Sequence, residues 1–138
     1  MRILGVLLLA AILPLGGCAG IGAVGSAPPE VGGLPRNYIV FFAFDSTALD
    51  ETAQGVIAQA AEDALQYQPT MIEIAGFSGE SPNARTGQQI ADQRLTAVEE
   101  ALAARGLDRA LFERADLVDE PNLSDVAVRR IEIRLELP

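Results

Sequence analysis

Histidine, lysine and tryptophan are missing from the 138 residues, and there is a single cysteine, Cys18. Each gap removes a class of chemistry. Without histidine and with one cysteine, no zinc-type ligand cluster can assemble and no internal disulfide can close. The imidazole that most often serves as general base is absent too. Most hydrolase and metalloenzyme readings therefore fall away before any motif is considered, and no cofactor is expected. All ten basic residues are arginine, set against nineteen Asp and Glu, for a net charge of −9. A chain of that sign repels nucleic acid and anionic lipid headgroups, so neither is expected as a partner.

Long apolar runs are nearly absent as well. The one that exists, Ile3 to Leu13, follows the positive Met1-Arg2 and is broken by Pro14-Leu15-Gly16-Gly17. It is short for a membrane span and has the anatomy of a secretory leader covering residues 1–17. Leu15-Gly16-Gly17-Cys18 resembles the lipobox of bacterial lipoproteins, which implies cleavage after Gly17 and acylation of Cys18. Several acyl chains hold firmly to a bilayer where one does not. Ala19 follows the cysteine, where an Asp would favour retention in the inner membrane of enterobacteria. The expected location is therefore the outer membrane, reached through the lipid anchor, with the rest of the chain in the periplasm.

Cleavage would leave 121 of the 138 residues and, with Arg2 gone from a charge of −9, a net −10. That is one domain of ordinary size. Residues 18–36 read as a lipidated start and flexible linker, rich in Gly, Ala and Pro with no apolar period. Fully extended, such a segment reaches at most about 60 Å. As a random coil it spans about 24 Å.

The folded domain is expected over residues 37–138. Tyr38 to Phe44 is an apolar, aromatic run that reads as a strand buried on both faces, closed by Asp45-Ser46-Thr47. Leu49, Ala53, Val56, Ile57, Ala60, Ala61 and Ala64 recur at helical spacing, with Asp50 as cap and Pro69 beyond the end. Met71 to Ala75 reads as a second strand, ended by Gly76. A polar loop from Phe77 to about Arg85 leads to a second helix, roughly Thr86 to Arg105, stopped by Gly106. Leu111 to Val118 is ambiguous and reads best as a short strand entered through a turn. Ile131, Ile133, Leu135 and Leu137 alternate with Arg130, Glu132, Arg134 and Glu136, a strand with one buried and one wet face whose charges can pair across to a neighbour. The order β-α-β-α-β-β implies an α+β two-layer sandwich, a mixed sheet with both helices on one face.

Three stretches of this domain resemble the OmpA-like C-terminal domain, a peptidoglycan-associating module. Phe42-Ala43-Phe44-Asp45-Ser46 with Leu49 is similar to its opening strand and turn. Gly76-Phe77-Ser78, with Ile90-Ala91-Asp92-Gln93-Arg94 at the family's spacing, is similar to its ligand loop and helix. Val128-Arg129-Arg130-Ile131-Glu132-Ile133 is similar to its closing strand. The resemblance implies binding of the peptidoglycan peptide stem, at diaminopimelate in many members. There an Asp after the Gly-aromatic-Ser/Thr triplet takes the ammonium and a helix Arg takes the carboxylate. That division of labour suits a zwitterion, the guanidinium gripping a carboxylate in bidentate fashion.

The arginine is present as Arg94. Even without the family it is conspicuous, since Ile90, Arg94 and Val98 place a charge inside an apolar stripe. A lone arginine there would otherwise pack its stem and keep its head in water. The acid is absent: Gly79 stands in its place, and the adjacent Glu80 offers a carboxylate on a longer arm. Gly87 and Val128 replace two further polar family residues. Asp45 matches a position that can face the ligand, and equally suits a turn-stabilising role. The resemblance thus nominates Arg94, Asp45, Phe77, Ser78 and Glu80 as the peptidoglycan-binding set. The lost acid leaves open a second function, an interaction module docking on an envelope protein. Catalysis by the adjacent Asp119-Glu120 pair is disfavoured, because acids next to Pro121 suit a solvated loop.

Overall fold

The computed structural model describes residues 36–78, 84–119 and 124–138. The leader, Cys18 and the linker up to Pro35 lie outside the described residues, as do Gly79, Glu80 and Pro121. The described residues form strands β1 (Arg36–Phe41), β2 (Met71–Ser78), β3 (Phe112–Arg114), β4 (Val118–Asp119) and β5 (Arg130–Glu136). Helices α1 (Glu51–Tyr67) and α2 (Ala84–Ala104) connect β1 to β2 and β2 to β3. None of the described helices is long and apolar enough to cross a membrane.

The sheet runs β1-β5-β2-β3, with β4 paired to the far end of β2. β5 is antiparallel to both β1 and β2, while β3 and β4 are parallel to β2. The sheet is therefore mixed, and the expected α+β sandwich is what forms. The alternation in the last segment puts it at the centre of the sheet. Ile131, Ile133 and Leu135 are fully buried against the helices, and each such side chain contributes about 1.5–3 kcal/mol. The other face carries the charges. Arg134 lies opposite Glu73 in the register and bonds it at 3.0 Å, and Arg130 bonds Glu132 at 2.7 Å.

α1 starts where the cap predicts: the Asp50 carboxylate accepts from the Ala53 N–H at 2.8 Å. It ends on Gln68 in the left-handed region (φ 50°), ahead of Pro69. α2 closes on Gly106 (φ 95°), with Leu107 N–H donating to the Leu102 carbonyl and Gly106 N–H to that of Ala103. These paired bonds satisfy helix carbonyls and require the glycine's freedom.

The structure corrects several expectations. β1 is not buried on both faces. It is the sheet's outermost strand with helices on one side only, so Ile39 and Phe41 are about half exposed and Phe44, beyond the strand, is 69% exposed. Arg36 belongs to β1 rather than to the linker. Gly76 does not end the second strand: β2 continues through Phe77 and Ser78, held by its pairing with β4. The polar loop therefore begins later, and α2 earlier, with Gly87 in the first turn of the helix. The ambiguous segment yields two short strands, β3 and β4, and Asp119 is in the second of them. Gly76 works instead by close approach. A Cβ there would lie 2.9 Å from Leu117 Cδ2 and 3.2 Å from Leu95 Cδ1. Gly76→Ala is accordingly expected to cost about 1–3 kcal/mol by overpacking, measured by urea unfolding.

One buried acid was invisible as a hub. Asp63 sits in the apolar stripe of α1 at 9% exposure. It accepts from Arg36 Nη1 at 3.0 Å, from Gln59 Nε2 at 3.0 Å, and from the Tyr38 hydroxyl. The Tyr38 bond, aided by Gln59 and Arg36, holds the Asp63 carboxyl below the usual carboxylate range. Burial, then the bond to Asp63, pushes Tyr38 up to about 12. A depressed carboxyl makes the folded state the poorer proton binder. Its contribution is present above the ordinary Asp value of about 3.9 and is lost as pH falls through the lower folded-state value. Asp63→Asn should therefore flatten the acid limb of stability against pH, read by urea melts between neutral and strongly acidic pH.

Candidate functional site

The site forms where β1 runs out into the loop before α1. Phe42 extends the strand pairing by one residue, its N–H donating to the Arg129 carbonyl at 2.8 Å. The chain then turns, with Ser46 N–H on the Ala43 carbonyl at 3.3 Å and the Ser46 hydroxyl accepting from Ala48 N–H at 3.1 Å. Asp45 occupies the left-handed region (φ 49°) at an exposed position. Asp tolerates that conformation better than most residues, at a cost of roughly 1–2 kcal/mol.

Arg94 holds this turn from beneath. It projects from α2 and is 1% exposed. Its Nε donates to the Ser46 carbonyl at 2.8 Å and an Nη to the Ala43 carbonyl at 3.2 Å. Its guanidinium carbon lies 5.1 Å from the centroid of the buried Phe42 ring. The expectation that a lone Arg here would keep its head in water fails, because the loop carbonyls replace the water. Arg94 thus anchors the segment that presents Asp45, whatever else it touches.

Phe77 is placed differently from expectation. Gly76 faces α2, so the alternation of β2 turns Phe77 to the opposite face of the sheet and Ser78 back towards the helices. Phe77 is 7% exposed and capped by Arg130, whose guanidinium carbon lies 3.6 Å from the ring centroid. Arg130 is fixed there by Glu132 and by the Ala127 carbonyl. The structure therefore brings Arg94 and Asp45 to one loop, puts Ser78 on the same sheet face, and sends Phe77 to the other. Glu80 lies outside the described residues.

Sequence reasoning assigned no ligand role to Arg129. It stands cross-strand from Phe42, and its buried Nε finds no hydrogen-bond partner among the described residues. Phe42 thus has the Arg94 guanidinium near its ring and the Arg129 backbone across the strand pair. The Arg-Arg doublet ahead of an alternating strand was the available signal. A guanidinium suits a carboxylate, which it binds with planar, two-point geometry, and Arg94 already has its Nε and one Nη on loop carbonyls.

Residues 41–124 match the model of the OmpA family. The chain belongs to the OmpA family. The match begins at the end of β1 and stops short of β5, so the closing strand is carried by structure rather than by that match. No curated protein sequence matches the chain. Among solved structures, the OmpA-like domain of FopA1 from Francisella tularensis is 16% identical, with 77% of this chain and 75% of that one covered at a TM-score of 0.66. The peptidoglycan-associated lipoprotein from Burkholderia pseudomallei is 23% identical over 70% of this chain and 87% of its own, with a TM-score of 0.58. The cell wall anchor of the type VI secretion system from Pseudomonas aeruginosa is 18% identical over 75% and 82%, with a TM-score of 0.59. At these identities the likeness is one of fold. The OmpA-like fold of this chain is built with its site loop anchored by Arg94.

Proposed function

We propose that this chain is an outer-membrane lipoprotein whose periplasmic OmpA-like domain binds peptidoglycan non-covalently and tethers the membrane to the cell wall. The observation that carries the reading is Arg94, buried at the family's arginine position and fixing the loop that presents Asp45. The leader, Cys18 and the linker supply the anchored end, and the stem peptide's carboxylate is the group that Arg94 and Arg129 suit. Two structural neighbours named as a peptidoglycan-associated lipoprotein and a cell wall anchor support the same direction. No catalytic step is required of such a domain.

The test is retention of the leaderless chain on purified sacculi. Binding that saturates and weakens with added salt is expected, and no retention above a control protein at low salt overturns the reading. A second reading, a protein-docking module, is favoured by Gly79 at the family's acid position. Gly87 and Val128, which replace two other polar family residues, are both buried. Under that reading Asp45→Asn leaves sacculus retention unchanged, and crosslinking in cells traps a protein rather than wall fragments.

A further inference from the structure

We propose that Asp63, Arg36 and Tyr38 form a mechanical clamp that holds the start of β1 to α1 against tension from the N-terminal segment. The inference rests on the tether reading, since a chain fixed at both ends is a chain that is pulled. Arg36 is where the preceding segment joins the sheet, opposite Leu135 of β5. β1 is an edge strand, backbone-bonded to β5 alone. An edge strand pulled from its first residue gives way one pair of bonds at a time, starting at that end.

The side chains at that end oppose this. Arg36 and Tyr38 both bond the Asp63 carboxylate on α1, and Gln59 steadies its other oxygen. The Arg36 guanidinium also stacks on Tyr67 with 4.2 Å from carbon to ring centroid, a contact that gains strength as water is excluded. Peeling the first residues of β1 therefore requires breaking three side-chain contacts at the same moment. At its other end the strand leads directly into the turn that Arg94 fixes to α2. β1 is thus fastened to one helix at its start and to the other just past its finish. Tension entering at Arg36 is taken up by α1 before it reaches the loop that presents Asp45.

The chain lends itself to the measurement because Cys18 is its only cysteine. The leaderless, unlipidated chain is held by the Cys18 thiol and by a C-terminal tag. The end of β5 lies beside Arg36, so the pull opens β1 from the clamped end. Folded lifetimes are measured at constant force and equilibrium stabilities by urea. Asp63→Asn and Arg36→Ala should shorten the lifetime by about tenfold more than their equilibrium losses explain. Tyr38→Phe, a mild change that removes one bond, should fall between them and wild type. Arg114→Ala breaks an ion pair of 2.7 Å with Glu99 away from β1, and should shorten it only by its equilibrium loss. Lifetimes that track equilibrium stability in all four variants overturn the clamp. Sacculi take no part, so failure here is separate from failure of wall binding.

Discussion

Arg94→Ala is expected to lower the melting temperature of the domain by more than about 10 °C, and to loosen the site loop before any ligand is added. The guanidinium makes two bonds to the carbonyls of Ala43 and Ser46 from a position that is 1% exposed. Hydrogen bonds to charged groups are worth about 1.5–3 kcal/mol each, and the truncation leaves both carbonyls seeking new partners. The loss is therefore roughly 3 kcal/mol or more, a large share of the stability of a single domain. This changes how a binding experiment must be read. Weak sacculus retention by Arg94→Ala would follow from loop collapse as readily as from a lost ligand contact. Arg94→Lys keeps the charge but cannot hold two carbonyls in the same planar fork, so its melt should fall almost as far. Asp45→Asn is the informative partner: Asp45 is exposed, and asparagine keeps its size and its tolerance of the left-handed region, so the change removes the charge and its melt is read alongside its retention. Retention lost in Asp45→Asn at wild-type stability places the ligand on this loop.

How much of the fold is legible in the sequence depends on how far each signal reaches. The alternation from Arg130 to Glu136 is local and strict, and it locates the central strand and its charged face. The Asp50 cap and Gly106 are local too, and both terminate helices as read. Burial depends instead on what lies across the sheet. The run from Tyr38 to Phe44 is apolar throughout, yet Ile39 and Phe41 are exposed because β1 lies at an edge with helices on one side. Gly76 reads as a terminator, whereas its missing side chain admits Leu95 and Leu117. The two-residue β4 has too little length for any period, and only its pairing with Phe77 and Ser78 reveals it. Arg94 stands out as a charge in an apolar stripe, but its partners are backbone carbonyls forty-eight and fifty-one residues away, which no side-chain pattern records. Asp63 is likewise a charge in the stripe of α1, and its partners Arg36 and Tyr38 lie on another element. The family resemblance located the arginine; the structure supplied its immediate task.

Gly79→Asp is expected to tighten sacculus binding by roughly ten- to a hundredfold at fixed salt. The reasoning starts from the ligand. A stem-peptide residue that carries both an ammonium and a carboxylate needs a partner for each, and a buried ionic group without one forfeits a bond of about 1.5–3 kcal/mol. On the tether reading, Arg94 and Arg129 supply the cationic side. The family's acid position holds glycine, and the natural chain's net charge of −9 gives only diffuse attraction, screened beyond about 8 Å at physiological salt. On the tether reading, a carboxylate restored at that position pairs directly with the ammonium, where screening matters least. The gain should depend on Asp45 and on the folded loop, so adding Asp45→Asn to Gly79→Asp should remove most of it. It should also vanish on sacculi whose stem amines have been acetylated, since the new acid then has no cation to meet. A gain of that size identifies a wall site that has been weakened and kept. Equal binding by Gly79→Asp and wild type would mean that the loop no longer faces the wall, and would turn the balance to the docking module.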